Sequence, residues 1–220
     1  MELNNCKNVY DAGVYESVTR TVESMLKFAS THEERLAIYD WSIMVLREGC
    51  RAATFEIGIL GIEGDALEMC NGFPETYLKG REEVRVQPQT YRGAPIPVRN
   101  TCLISSASDK DKIPSAFLDV KNNGFRQDFA NYQIIYYPEA NMCIACNGFH
   151  HTSMASLFQE GNIIPTGEVS LTEMFPYVKT DGYYWIDIKT GGRLSKTFDS
   201  RIATIYELLR HKHLLESDIQ

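Results

Sequence analysis

The first third of the chain carries hydrophobic residues at helical spacing in two successive stretches. In the first stretch the apolar positions recur every three or four residues, at Val14, Val18, Val22, Met25, Leu26 and Ala29. The second opens with Thr31 and Glu34, whose spacing is typical of a capping box, and is expected to end at Gly49. This pattern predicts an antiparallel pair of amphipathic helices, followed by a weaker helical stretch over residues 65–70.

Residues 80–100 lose this periodicity. They contain residues that interrupt regular elements, namely Pro88, Gly93, Pro95 and Pro97. We therefore expect an extended connection here. Its basic residues, which either face a ligand or lie in a solvated loop, are Arg81, Arg85, Arg92 and Arg99.

Short alternating elements are expected between residues 112 and 169. Pro114 is favourable in the first turn of a helix, and Gly124 is suited to end it. β-Branched and aromatic residues then favour strands. In order, the predicted elements are a helix over 114–120, a strand over 132–137, a turn over 138–141, a strand over 142–146, a helix over 152–159 and a strand over 163–169.

Residues 170–220 carry further helix-capping and strand patterns. Ser170 and Glu173 have capping-box spacing, which predicts a short helix as far as residue 178. Residues 183–189 alternate between apolar and polar side chains, as a half-buried strand does. Asp199 or Ser200 is expected to cap a terminal helix.

Taken together, these elements predict an α+β protein with a small mixed β-sheet preceded by a helical N-terminal region. The predicted division is a helical region over residues 1–80, an extended connection over 81–111 and an α+β domain over 112–220, and all three could form one compact unit. The hydrophobic fraction of 44% is typical of globular proteins, so disorder is not expected.

The charge balance and the cysteines bear on partners and location. With 22 basic against 29 acidic residues the net charge is −7, which disfavours binding to extended nucleic acid. A local basic patch or a solvated helix end would account for Arg201, Arg210, His211, Lys212 and His213. The six cysteines are scattered, residues 1–10 lack the apolar core of a secretory signal, and no apolar run could span a membrane. We expect reduced thiols and a cytoplasmic protein.

The most promising site is the strand, turn and helix over residues 143–156. Gly148 would let the backbone approach a ligand, and the helix that follows would present unpaired N–H groups and the positive end of its dipole. Hydrogen-bonding residues surround this point, namely Asn147, His150, His151, Thr152 and Ser153. A phosphate or another anion suits such an arrangement.

The same region resembles the core of the ParB/sulfiredoxin-like superfamily, in which a Gly-x-x-Arg or Gly-x-His-Arg box opens a helix. Here the box reads Gly148-Phe149-His150-His151. The matching parts are the helix over 113–122, the strands over 132–137 and 142–146, the helix over 152–160 and the strand over 164–169. The chain also resembles an uncharacterised bacterial family with an Asn-Gly-Asn-His-Ser type box and a later Asp-Gly, here at residues 147–150 and 181–182.

The resemblance implies a bacterial or phage-associated, phosphate-binding protein whose ligand is a nucleotide or another phosphorylated small molecule, and whose activity could extend to hydrolysis of that ligand. It implies that His150 and His151 are catalytic and that Asn147, Gly148, Thr152 and Ser153 bind phosphate, with Mg²⁺ accompanying a nucleotide. His151 replaces the arginine of the box, and Phe149 replaces the reactive cysteine of sulfiredoxin. Sulfinic-acid reduction and DNA clamping are therefore not expected.

Three alternatives remain at this level. Cys143 and Cys146 could bind zinc together with the histidines, or could be buried as small hydrophobic residues. Residues 191–193 could form a phosphate loop or a hairpin turn. Finally, the box could be a relic in a non-enzymatic module that binds a protein partner or a second copy of itself, in which case we expect an exposed apolar patch on one of the first two helices.

Overall fold

The computed structural model describes residues 13–60, 72–105 and 109–217 and confirms the predicted α+β class. The described chain forms two compact units. Unit 1 consists of residues 13–46, 73–85 and 172–217, and unit 2 of residues 47–60, 72, 86–105 and 109–171. The three-part domain division stays a prediction. None of the helices in the described ranges is both long enough and apolar enough to cross a membrane.

Five α-helices and eleven strands make up the described part of the chain. The helices are α1 (Gly13–Leu26), α2 (His32–Leu60), α3 (Ile113–Asn123), α4 (Phe149–Phe158) and α5 (Ser200–Ser217). The strands are β1 (Thr76–Lys79), β2 (Glu82–Arg85), β3 (Ile96–Pro97), β4 (Cys102–Ile104), β5 (Ile134–Tyr137), β6 (Met142–Ala145), β7 (Asn162–Ile163), β8 (Gly167–Glu168), β9 (Val178–Thr180), β10 (Tyr184–Asp187) and β11 (Arg193–Lys196).

The capping box at the start of α2 is confirmed. The Glu34 N–H donates to Thr31 Oγ1 at 3.1 Å, and the Thr31 N–H donates to Glu34 Oε2 at 3.0 Å. The Ser30 N–H donates to the same carboxylate oxygen at 2.6 Å. These backbone hydrogen bonds from Ser30 and Thr31 hold the pKa of the Glu34 carboxyl below its usual range. The start of α2 is therefore set by its local sequence.

The predicted end of α2 at Gly49 is wrong, because the helix continues to Leu60. Glycine within a helix costs about 1 kcal/mol relative to alanine. Leu46, Cys50 and Ala53 nevertheless continue one buried helix face across the glycine. Burial of that face outweighs the local cost. The helical stretch predicted over residues 65–70 lies outside the described residues.

Unit 1 packs helix α5 against the antiparallel sheet β11-β10-β9. Tyr206 of α5 lies at the centre of the packing, with ring centroids 5.0 Å from Trp185 and 5.3 Å from Phe175. The Arg201 N–H donates to Asp199 Oδ1 at 2.7 Å, which confirms the expected cap at the start of α5. Residues 188–192 form the hairpin connection between β10 and β11, so Gly191 and Gly192 belong to a hairpin turn.

Unit 2 is built on a four-stranded mixed sheet in the order β4-β6-β5-β8. Strand β6 is central, runs parallel to β4 and antiparallel to β5, and is buried along its whole length. Helices α3 and α4 pack together, and the rings of Phe117 and Phe158 meet at 5.2 Å. The predicted hairpin of two strands and the helices on either side of it are confirmed.

Two further predictions are corrected by the structure. Residues 80–100 are not wholly irregular, because β2 pairs with β1 through a two-residue turn at Gly80. Residues 171–177 form a bend and turns instead of the predicted α-helix, and Val178 begins β9. The Ser170 hydroxyl donates to Glu139 Oε1 at 2.6 Å, and the Leu171 N–H donates to Glu139 Oε2 at 3.1 Å. The expected capping residue, Ser170, is thus engaged by the carboxylate of the distant Glu139.

Candidate functional site

The candidate site lies where strand β6 ends and helix α4 begins. The β6 ladder closes with the Cys146 N–H donating to Gln133 O at 2.7 Å. Gly148 then adopts a left-handed conformation, with φ of 75° and ψ of 27°, and α4 starts at the next residue. The predicted sequence of strand, glycine turn and helix is therefore present.

The free side of Gly148 faces the aromatic ring of Tyr132. A β-carbon added to this glycine would lie 2.1 Å from Tyr132 Cδ1, far inside van der Waals contact. Tyr132 belongs to the core of unit 2 and stacks on Phe125 at a centroid distance of 6.1 Å. The sequence predicted that another group would approach the backbone of Gly148 closely. In the structure that group is the ring of Tyr132, a core side chain. Contact between Gly148 and a phosphate stays a prediction.

Thr152 and Ser153 are buried, and their hydroxyls are engaged within the protein. Thr152 Oγ1 lies 2.8 Å from Gly148 O and 2.6 Å from Ser105 Oγ. The Ser153 hydroxyl donates to Ser105 O at 3.2 Å. These hydrogen bonds tie the first turns of α4 to the end of β4. The two hydroxyls are therefore positioning groups for the helix rather than open donors at its tip.

The first turn of α4 presents backbone N–H groups that have no partner within the helix. The amides at the start of a helix have no partner within it, and Gly148 offers no side chain to cap them. No acidic residue lies in this turn, so the positive end of the helix dipole is not neutralised from within the helix. Asn147 is exposed, and its Oδ1 accepts the Gly148 N–H at 2.8 Å. This turn is electrostatically suited to an anion.

His150 is half-buried at this turn. Its Nε2 atom is inaccessible to solvent and has no hydrogen-bond partner among the residues described. Burial lowers the pKa of the imidazole, and Lys112 acts in the same direction, while Asp109 opposes them. Because its pKa lies below the usual 6.5, the neutral form of His150 predominates at pH 7. Lys112 and Asp109 form an ion pair of 2.9 Å.

His151 points to a different partner. Its Nε2 lies 3.2 Å from Asp119 Oδ2 on helix α3, and its side chain is 40% exposed. The pKa of the Asp119 carboxyl is lowered by a hydrogen bond from Asn123 and by His151. The structure therefore brings Asn147, Gly148 and His150 together at the helix tip, and it directs His151 towards α3.

The cysteines of this region have separate environments. Cys143 is fully buried in the core of unit 2, and burial raises the pKa of its thiol to about 12. Cys146 is half-buried, beyond the end of β6. Within the described ranges, no three His, Cys, Asp or Glu residues lie together as a metal site would require. The environment of Cys143 is that of a small hydrophobic residue.

The sequence-based prediction did not identify several residues that lie at the site. Asp109, Lys112 and Asp119 approach the histidines only because α3 packs beside α4. Ser105 follows β4 and reaches α4 because β4 pairs with β6. No periodicity or motif could have indicated these contacts, since they depend on the sheet order and the packing of the helices.

Comparison with protein-family models matches residues 7–219 to DUF6710, which is described as a family of unknown function. No curated protein and no solved structure matches the chain. What the protein does must therefore be inferred from its own residues and their geometry.

Proposed function

The chain belongs to the family of unknown function DUF6710, and we propose that it is a cytoplasmic protein that binds a nucleotide or another phosphorylated small molecule at the first turn of α4. The observation that carries this proposal is the Nε2 of His150, which has no hydrogen-bond partner among the described residues and lies beside a helix N-terminus whose N-cap residue, Gly148, has no side chain to cap it. A buried imidazole nitrogen without a partner is costly to the fold. Once the side chain turns outward and this nitrogen is protonated, a phosphate oxygen would accept its hydrogen bond.

The ligand would be held mainly by the backbone. The amides of the first turn and the helix dipole favour phosphate, with the Asn147 side chain beside them. Lys112 is exposed and lies close enough to His150 to affect its pKa, so it is able to turn towards a bound anion. Thr152 and Ser153 would act indirectly, by fixing α4. Mg²⁺ accompanying a nucleotide would bind mainly through phosphates and water.

The same geometry supports hydrolysis of a phosphoanhydride or phosphodiester as an extension of binding. A neutral His150 can take a proton from a water molecule as its oxygen attacks phosphorus and the leaving oxygen departs. Asp109 lies beside His150 and would stabilise the imidazolium that forms. His151, paired with Asp119, would act at the edge of the ligand.

Anion binding is expected to depend on His150 and on pH. The test is thermal unfolding in the presence of sulfate or ATP, with and without Mg²⁺. A ligand at 100 times its Kd stabilises the folded protein by about 2.7 kcal/mol, so binding should raise the unfolding midpoint. A bound anion favours protonated His150 and raises its pKa. Sulfate keeps its charge over this range, so it should bind more tightly at pH 5.5 than at pH 7.5.

The matched variants are His150→Gln and His32→Gln, since His32 lies at the start of α2 in unit 1. His150→Gln should weaken binding about tenfold, the cost of one hydrogen bond to a charged group, and remove most of the pH dependence. His32→Gln should leave both unchanged. The proposal is rejected if neither anion raises the unfolding midpoint, or if His150→Gln binds with wild-type affinity and pH dependence.

A second candidate function, a protein-interaction module, is favoured by one face of α2. Trp41, Met44 and Val45 lie on this face and are 48%, 51% and 47% exposed, and the exposed Ala37 precedes them at helical spacing. Large apolar side chains clustered on one helix surface often mark a binding site. An apolar groove or a helix on the partner would fit this face.

The α2 face predicts a specific loss of binding. Trp41→Gln with Met44→Gln should abolish capture of a partner from extracts of the source cells, because both side chains would otherwise be buried at the interface. Leu118→Gln is the control, since Leu118 is a comparably exposed residue of α3. If the double variant captures the same proteins as the wild type and the control, the α2 face is not a docking site.

A further inference from the structure

A cleft in unit 1 lies apart from the residues discussed so far. It has a volume of about 390 Å³ and is formed by the end of α1, the first turns of α2 and the last turns of α5. Its lining residues are Glu23, Leu26, Lys27, Arg35, Tyr39 and Leu215. The volume falls within the range of about 300–1,000 Å³ that is usual for small-molecule sites. It is therefore large enough for a small ligand.

The cleft combines an apolar wall with cationic groups. Leu26 and Leu215 are half-buried, and Tyr39 is almost completely buried. Lys27 and Arg35 are exposed basic residues at the edge of this wall. A ligand with an apolar body and a charged end would match both parts of the lining.

The charged groups of the cleft make no ion pairs within the described part of the chain. Across the ranges 13–60, 72–105 and 109–217, no ion pair involves Lys27, Arg35 or Glu23. The phenol of Tyr39 likewise makes no hydrogen bond in this part of the chain. Burial raises the pKa of Tyr39, and nearby Arg35 opposes that effect. Tyr39 therefore remains a neutral donor beside a guanidinium.

We propose that this cleft binds a small amphipathic anion, in which a carboxylate contacts Arg35, Lys27 and the Tyr39 hydroxyl while a short hydrocarbon chain lies against Leu26 and Leu215. Arg35 is suited to a carboxylate because its guanidinium offers paired donors. The two cations outnumber the single carboxylate of Glu23, so an anion is favoured over a cation. This site is independent of the proposed phosphate site on α4.

The apolar wall also distinguishes this ligand class from simpler anions. Inorganic phosphate or acetate would gain nothing from Leu26 and Leu215. A neutral alcohol of the same chain length would bury the same hydrocarbon but would lack the ion pair. Affinity should therefore require both the charge and the chain, which gives the cleft a signature that nonspecific surface binding does not share.

The test is calorimetric titration of the protein with octanoate, below its micelle concentration, alongside octanol and acetate. Octanoate is expected to bind at least tenfold more tightly than either of the other two. Arg35→Gln should weaken octanoate about tenfold, which is the usual cost of losing one charged hydrogen bond. The control Arg81→Gln removes the same charge from the exposed turn between β1 and β2 and should bind normally.

Folding and site identity are checked in the same series. Arg35 is exposed, so its variant should unfold with the wild-type midpoint, and His150→Gln should bind octanoate as the wild type does. The inference is overturned if octanoate does not bind, if acetate or octanol binds equally well, or if Arg35→Gln and Arg81→Gln lower the affinity to the same extent. Loss of octanoate binding in His150→Gln would also overturn it.

Discussion

Replacing Gly148 with alanine is expected to destabilise unit 2 by about 2–5 kcal/mol. Two costs combine at this position. A non-glycine residue at φ of 75° costs about 1–2 kcal/mol. The new methyl group would also lie 2.1 Å from the Tyr132 ring, and overpacking of a well-packed core typically costs about 1–3 kcal/mol. Chemical denaturation followed by circular dichroism measures the effect.

Gly80→Ala provides a matched control for this prediction. Gly80 has the same φ of 75°, but a β-carbon added there would have no atom within 4 Å. Its substitution by alanine should therefore lower the unfolding free energy only by the cost of a non-glycine residue at positive φ, about 1–2 kcal/mol. The difference between the two variants isolates the contact with Tyr132. Equal losses in both would show that the tyrosine ring does not fill the space beside Gly148.

Replacing Glu207 with glutamine is expected to destabilise unit 1 by about 3–5 kcal/mol. The Glu207 side chain is only 6% exposed. Its Oε1 accepts hydrogen bonds from Arg210 Nε at 3.1 Å and from His211 Nε2 at 3.1 Å, and its Oε2 accepts the Thr180 N–H at 3.2 Å. Removing one partner of a buried ion pair leaves the other charge uncompensated, which is the source of this large cost.

The effect of Glu207 should depend on pH in a defined direction. Burial raises the pKa of this carboxyl, but hydrogen bonds from His211 and Arg210 overcome the effect and the net pKa is lowered. A carboxyl whose folded-state pKa is below its unfolded value stabilises the fold above that unfolded value, about 4.3, and loses this contribution as the pH falls. The difference between wild type and Glu207→Gln in unfolding free energy should therefore shrink below about pH 4.

Glu216→Gln is the control for Glu207. Glu216 is 49% exposed, and its distance to Lys212 is 3.9 Å. Exposed pairs contribute at most about 1 kcal/mol, so this substitution should be nearly neutral at every pH. A Glu207→Gln variant that is no less stable than Glu216→Gln, or whose deficit is the same at pH 3 and pH 7, would contradict the role assigned to the buried carboxylate.

Local signals predicted most of the helices correctly. The capping box at Thr31, the proline at residue 114 and the cap at Asp199 act on neighbouring backbone groups, so the sequence is sufficient to place them. The same reasoning failed at Ser170, where the side chain of Glu139 accepts hydrogen bonds from both Ser170 and Leu171. A contact between residues 31 positions apart cannot be read from spacing alone.

The candidate site likewise combines features that local sequence predicts with features that only tertiary packing determines. The glycine turn and the start of α4 follow from local sequence, since Gly148 permits a left-handed conformation and the helical pattern follows it. The ring that faces Gly148, the hydroxyl network through Ser105 and the carboxylates beside the histidines come from other strands and helices. Sequence therefore predicted which residues surround the turn, and packing decided which of them remain open.

The discontinuity of unit 1 has a consequence during synthesis on the ribosome. The Tyr15 hydroxyl of α1 donates to Thr180 O at 2.9 Å, and 165 positions separate the two residues. At about 5–20 residues per second, α1 emerges roughly 10–30 s before its hydrogen-bond partner. During that interval its apolar face, including Val22, lacks its native cover. Unit 1 is thus obliged to assemble late, and we expect its nascent helix to benefit in that interval from chaperones that shield exposed hydrophobic segments.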